Sequence, residues 1–356
     1  MGFRDCPQAG QIHAVDPEQT PQCTLAAVSV AFLAMPARPY PFRSYMRHPA
    51  IMSTVTPIVI FHKGRTWYLP YVLHQAQVAC PSSEVMLASE IPVPGFPLLP
   101  LNNFENIKRA ATFRRCYQHM STNPQAYELF CYLRWFYLLE YMELRGLQRV
   151  LHLDSDFLLY CSMEELAFSH PVRSGEAGLS IPAQSHESLV WLASGHMGLF
   201  TVEALDCFCK FATATFVEER WLSQYNQKWM SHSTRRPGGI CDMTTLYFFC
   251  REYPEAVVNL AEESRGAVAD LRFNNSANHR ADEYQMRNGV KRVELRCGKP
   301  IIFRKDGRPV RALGLHFQGR NKRHIPRYYL GPSFAGKMLS DLTAAAYLRV
   351  FGSGSG

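Results

Sequence analysis

The run Pro57-Ile58-Val59-Ile60-Phe61 contains no polar position. Unbroken apolarity of this kind predicts a strand buried on both faces of a parallel sheet. It stops at His62-Lys63-Gly64, a turn into a helix over Trp67 to Ala79 with Tyr71, His74, Gln75 and Val78 along its faces. A second strand, Glu84 to Ala88, ends at Ser89-Glu90, and a proline- and leucine-rich loop spans residues 91–104. Tyr127 to Leu147 reads as a long helix of aromatic and aliphatic residues broken by Gly146, and the strand Arg149–Asp154 follows directly. Met197–Thr201 reads as a strand; Val202–Phe216 and Thr244–Arg251 read as helices. Lys299–Phe303 and Pro309–Leu315 flank Lys305-Asp306-Gly307-Arg308, and Asp-Gly between apolar runs predicts a hairpin. Residues 91–124 and 217–241 read as variable loops. Strands alternating with helices predict an α/β fold: a mixed, mainly parallel central sheet flanked by helices, with a small β-hairpin region.

Ligands of such sheets collect beyond the carboxyl ends of the strands. His62, Glu90 and Asp154 all stand at such ends. Asp154-Ser155-Asp156 lies between two apolar runs, where turn residues are usually small or neutral. A period of two lets both carboxylates converge on one side of the chain. Two like charges held close repel unless a cation lies between them, and oxygen ligands suit Mg²⁺ or Mn²⁺, which also bind phosphate. The plain alternative is a strand end with two exposed turn aspartates.

At 356 residues the chain fits one large α/β domain or two smaller ones, with ample core. A net charge of +8 implies attraction to anions: nucleotide-sugar phosphates, an anionic membrane surface or nucleic acid. The eleven cysteines include no Cys-x-x-Cys pair, and Cys207-Phe208-Cys209 is too close for a zinc half-site, so most read as buried thiols of a reducing compartment. Residues 1–54 read as a disordered or weak targeting extension: the apolar run over 24–37 is too short to span a membrane and lacks the basic flank of a signal sequence, which leaves secretory-pathway targeting as the weaker alternative. The expected location is cytoplasmic or peripheral to a membrane. Residues 336–356 read as a C-terminal helix and flexible tail. Phosphate-loop, dinucleotide, hydrolase-elbow and zinc-protease motifs are missing.

Four features, in order, resemble the metal-dependent nucleotide-sugar glycosyltransferases of the GT-A fold, family 8 and its relatives. They are the strand Pro57–Phe61; the long helix carrying Arg134, followed by Asp154-Ser155-Asp156; Ser194-Gly195-His196-Met197-Gly198-Leu199-Phe200; and His316-Phe317-Gln318-Gly319-Arg320-Asn321-Lys322. The resemblance covers roughly residues 56–330, within a single domain over 55–335 that has a nucleotide-binding half over 55–160 and an acceptor and closing half over 161–335. The chain departs from the family 8 pattern at Ser194-Gly195-His196, at Asp242-Met243-Thr244 in place of Asp-Gln-Asp, and at Arg323 after Lys322.

The resemblance implies a Rossmann-like sheet and transfer of a sugar, a hexose by preference, from a UDP-sugar to a hydroxyl of a glycan, glycolipid or glycoprotein. It implies Mn²⁺, or Mg²⁺, held by Asp156, Asp154 and His316. His62, Glu90, Arg134, Ser155, Ser194, Gly195, Gly319 and Lys322 would contact the sugar donor. Asp242 would hold the acceptor hydroxyl, or act as base if the reaction inverts; the ending after His316 favours retention. Trp221, Tyr225 and Trp229 would either stack on a sugar or fill the core. Ordinary structural roles stand beside these: a satisfied strand-end His316, an Arg134 paired with an acid, a helix-capping Asp242, a tight turn at Ser194-Gly195. A nucleotidyl- or phosphoryltransferase would also use the paired aspartates, but would not need His316. The basic stretch from Arg287 to Arg327 suits a nucleic-acid groove less well, because a hairpin divides it and no recognition motif is visible; no nucleic-acid partner is expected.

Overall fold

Ile58, Val59 and Ile60 are fully buried, and Phe61 nearly so, because the strand they form has sheet on both sides. The computed structural model describes residues 55–232 and 238–331, all within the compact unit Pro49–Gly356. The expectations for residues 1–54 and 336–356 lie outside the described residues.

The first half runs β1 (Ile58–His62), α1 (Leu69–Ala79), β2 (Val85–Ser89), β3 (Leu98–Pro100), α2 (Lys108–Cys116), α3 (Gln125–Arg145), β4 (Arg149–Asp154) and β5 (Phe157–Leu159). There follow α4 (Met163–Ser169), β6 (Ala177–Ser180), β7 (Ser194–Thr201), α5 (Val202–Thr215), α6 (Glu219–Ser231), α7 (Asp242–Glu252), β8 (Val257–Asn259) and β9 (Ala267–Ala269). The last elements are β10 (Met286–Arg287), β11 (Val290–Lys291), β12 (Val293–Arg296), β13 (Lys299–Phe303), β14 (Pro309–His316) and α8 (Ile325–Tyr328).

Among the described residues the main sheet has the order β3-β2-β1-β4-β7-β6-β8. It is parallel from β3 to β4 and again between β6 and β8, and β7 runs antiparallel to both its neighbours. This is the mixed, mainly parallel sheet expected. Strand periodicity divides its side chains between two cores. Val59, Phe61 and Val150 face α3, α5 and α7; Ile58, Ile60, Leu151 and Leu153 face α1 and a second sheet. That second sheet has the order β12-β13-β14-β5, with β9 beside β14. α3 ends where Gly146 adopts φ +63°, a left-handed cap that returns its N–H to Glu143 and Met142.

The chain therefore passes from one sheet to the other within the two-residue turn Ser155-Asp156. β14 returns antiparallel to β5 and places His316 opposite Phe157, one residue past Asp156. The amide of Phe317 donates to the Asp156 carbonyl at 2.9 Å and locks that register.

The expected loops contain structure. Residues 91–104 hold β3 and a 3-10 turn, residues 105–124 hold α2, and residues 217–232 hold α6. α2 buries only Ala110 and Phe113 among basic residues, too thin a stripe to register as periodicity. α6 buries Trp221, Tyr225 and Lys228 along one face, with a lysine where an apolar residue would have completed the pattern. Trp221 and Tyr225 are core residues, so neither is presented for sugar stacking, and Trp229 is half-buried against that core. β7 begins at Ser194 rather than Met197, so Ser194-Gly195 is strand and not a tight turn. Among the described residues no helix is long and apolar enough to cross a membrane, and the described cysteines are free thiols.

Candidate metal and sugar-donor site

Asp154 is the last residue of β4, and Asp156 lies in the turn that follows. With His316 they form a cluster in which one ligand atom from each residue lies within 4.8 Å of the others. His316 Nε2 stands 3.2 Å from Asp156 Oδ1 and 3.9 Å from Asp154 Oδ2. His316 Nδ1 lies 3.1 Å from the Leu271 carbonyl oxygen. A carbonyl only accepts, so Nδ1 carries the proton and the neutral ring turns the Nε2 lone pair toward two carboxylates. That arrangement is repulsive unless Nε2 gains a proton or a cation lies between the three groups. Burial would push the His316 pKa down, yet Asp156 and then Asp154 raise it.

Lys322, delivered by the turn after β14, places Nζ 2.8 Å from Asp156 Oδ2 and over the Tyr68 ring. Arg134 on α3 donates through Nη1 to Asp154 Oδ1 at 2.7 Å and through Nη2 to Asp242 Oδ2 at 2.8 Å. Trp135 Nε1 donates to the same Asp242 oxygen at 3.0 Å. Burial opposes ionisation of Asp154, but Arg134, aided by His152 and His316, holds its carboxyl well below the usual range. Asp156 is likewise buried, and His316 outweighs that penalty to lower its pKa. Three carboxyl groups thus meet two fixed cations, leaving net negative charge when His316 is neutral.

Most of the sequence-predicted residues converge here. His62 Nδ1 meets Ser155 Oγ at 3.0 Å, fixing the turn between the aspartates. Both terminal nitrogens of Arg134 face protein carboxylates. Asp242 opens α7 without capping it, because the preceding Cys241 holds the cap position; no described group bonds its Oδ1. Gly319 takes φ +57° in the turn toward Lys322. Ser194 reaches the cluster only through His196, its Oγ 2.9 Å from His196 Nδ1. Gly195 packs under Trp135: a Cβ there would stand 2.5 Å from Trp135 Cη2. Glu90 lies apart, in an exposed ion pair with Lys63 at 3.5 Å.

No family model and no curated protein matches the chain. Solved structures do. The chain is similar to apo mouse xyloside xylosyltransferase 1, at 13% identity and TM-score 0.37, over 58% of this chain and 84% of that one. It is similar to the apo bifunctional glycosyltransferase WbbM, at 10% identity and TM-score 0.45, over 82% of this chain and 52% of that one. It is also similar to galactosyltransferase LgtC in complex with donor and acceptor sugar analogs, at 14% identity and TM-score 0.41, over 79% of this chain and 100% of that one. The chain spans about half the length of WbbM.

Three supporting groups complete the site; of these the sequence named only His196, as part of the third motif and without a role. The His196 ring stacks on His316 at 4.5 Å with planes 2° apart, and burial, with His316 beside it, holds His196 well below its ordinary pKa. His152, two residues before Asp154 and so on the same strand face, spans the Val59 carbonyl at 3.2 Å and Asp154 Oδ1 at 3.3 Å. Beneath His316, the fully buried pair Lys291–Asp270, at 2.6 Å, receives the His316 amide on Asp270 Oδ2. The strand period of two is the local signal that places His152 on the face of Asp154; the other contacts join residues far apart in the chain.

Proposed function

We propose that this protein is a metal-dependent glycosyltransferase that moves a sugar from a UDP-sugar to a hydroxyl acceptor on a glycan, lipid or protein. The observation that carries the reading is the His316 lone pair, aimed between Asp154 and Asp156 by the Leu271 carbonyl. Two carboxylates and one imidazole are a donor set for Mn²⁺ more than for Mg²⁺. A divalent cation held there would supply Lewis-acid stabilisation of charge developing on a leaving diphosphate.

The chain's own residues divide the remaining work. Lys322, 2.8 Å from Asp156, would neutralise a diphosphate brought to that carboxylate. His62 holds Ser155, and so the turn that aims both aspartates. Arg134 orients Asp154 and Asp242 together. Asp242 Oδ1 would accept a hydrogen bond from an acceptor hydroxyl; in a retaining reaction the leaving phosphate takes the proton, and in an inverting one Asp242 would. A nucleotidyl- or phosphoryltransferase would leave His316 without a role, so the imidazole in the cluster favours sugar transfer.

The test is UDP release from a panel of UDP-sugars with and without Mn²⁺, comparing wild type with Asp156→Ala. Metal-dependent turnover of one donor, lost in the variant, supports the reading and names the sugar. Release of pyrophosphate instead, or no turnover of any UDP- or GDP-sugar, overturns it.

A further inference from the structure

Beside the metal cluster lies a cavity of about 210 Å³ whose walls include Ser194, Met243, Arg272, Asn274, Asn275 and Gln318. Four of these six walls adjoin the site already described. Ser194 bonds His196, which stacks on His316; Met243 follows Asp242; Gln318 follows His316 by two positions; and Arg272 follows Leu271, whose carbonyl orients His316. The volume falls below the roughly 300 Å³ at which pockets for drug-sized ligands begin, so it suits one sugar ring or its substituent.

Arg272 is the unusual wall. It is half-buried, and burial lowers its pKa with no compensating acid. Among the described residues its guanidinium has no hydrogen-bond or ion-pair partner. The comparably buried Arg134, Arg292, Arg304 and Arg311 all have theirs: Asp154 and Asp242, Glu294, Glu263, and the Ala312 carbonyl. A half-buried cation without a counter-charge costs stability unless a ligand supplies the charge. The side-chain amides of Asn274 and Gln318 line the same space with no partner among the described residues, and they add neutral hydrogen-bonding groups around the fork.

We propose that this cavity recognises an anionic group on the sugar substrate, a carboxylate or phosphate gripped by Arg272. The guanidinium fork matches such oxoanions with two parallel hydrogen bonds, which neither a sugar hydroxyl nor an acetamido group can offer. The inference rests on the glycosyltransferase reading for the identity of the ligand as a sugar. The anion would be carried by the acceptor or by the donor.

The experiment compares matched pairs in the Mn²⁺-dependent UDP-release assay on the full chain. One arm varies the acceptor, glucoside against glucuronide and mannose against mannose 6-phosphate. The other varies the donor, UDP-glucose against UDP-glucuronate. Thermal melting with free glucuronate and with mannose 6-phosphate, for wild type and Arg272→Gln, runs in parallel. Wild type is expected to prefer the anionic member of one arm by tenfold or more in kcat/KM. Arg272→Gln is expected to erase that ratio, and Arg272→Lys to recover part of it. The arm that responds identifies which substrate bears the charge. Turnover with no anionic preference, or with one that survives Arg272→Gln, overturns the inference and leaves the glycosyltransferase reading standing. A melting shift with either anion that depends on Arg272, without UDP release from any donor, upholds the anion site and overturns the glycosyltransferase reading. No turnover and no Arg272-dependent shift overturns both.

Discussion

The Nε2 atom of His316 stands 3.2 Å from Oδ1 of Asp156, with its ring proton committed on the other side to a backbone carbonyl. The pair is a preset half of a cation site. Asp156→Asn and His316→Gln are each expected to weaken Mn²⁺ binding by about 100-fold or more, beyond the ~10–100-fold typical of losing a partner outside the ligand set. Electron paramagnetic resonance titration of free Mn²⁺ measures this. Wild-type affinity in either variant would mean the cluster is only an ion-pair network.

The same geometry sets the pH dependence of metal binding. Protonated His316 cannot ligate, and Asp156 raises its pKa above the ordinary value. Mn²⁺ affinity should therefore strengthen as pH rises, about tenfold per unit below that pKa, and then level off. Affinity unchanged from about pH 5 to 8 would exclude His316 as a ligand.

Arg134 joins Asp154 to Asp242 across the gap between β4 and α7. Removing it leaves two buried carboxyl groups without their cation. Arg134→Met is expected to cost about 3–5 kcal/mol of stability, with part regained in the double variant carrying Asp242→Asn. Urea unfolding of the two single variants and the double variant completes the cycle. Strict additivity would show that the contact contributes no coupling.

Gly195 marks a packing limit. A Cβ at this position would stand 2.5 Å from the buried Trp135 ring, close enough that one of the two must shift. Gly195→Ala should cost about 1–3 kcal/mol from overpacking. Thermal melting checks it, and a neutral result would free Gly195 for the backbone approach to a sugar.

Lys228 lies buried on α6, where its ammonium group donates to the Val190 and Trp191 carbonyls and to Thr244. Burial lowers its pKa from 10.5 to about 8. The unfolded chain then binds more protons than the folded one between those values, so stability should rise with pH across that window. The pKa difference corresponds to about 3 kcal/mol. Relative to wild type, Lys228→Met should lack that rise when unfolding is followed from about pH 7 to 10.5. Parallel curves would refute the assignment.

Periodicity made β1, β2, α3 and β4 legible, because each carries an uninterrupted or strongly helical apolar pattern. Asp154 and Asp156 were legible because paired charges at the end of an apolar strand stand out, whereas His316 was legible only through the resemblance carried by the motif from His316 to Lys322. α2 and α6 were not, since one buries too little and the other buries a lysine. The partnership of Arg134 with Asp242 spans 108 positions and depends on α7 packing against α3. The joint identity of Lys291 and Asp270 as a buried pair depends on a loop path that no local pattern encodes.

The sequence by itself determined where strands end and which chemistry stands at those ends, because burial periodicity is a local property of the chain. The tertiary structure alone decided which ends meet. The crossing from β4 to β5 and the antiparallel return of β14 bring His316 beside Asp156. The Leu271 carbonyl then selects the ring proton, and Arg272 is left facing a cavity without a counter-charge. Distance between side chains, and the charge each one lacks, are set by packing between elements and not by their order along the chain.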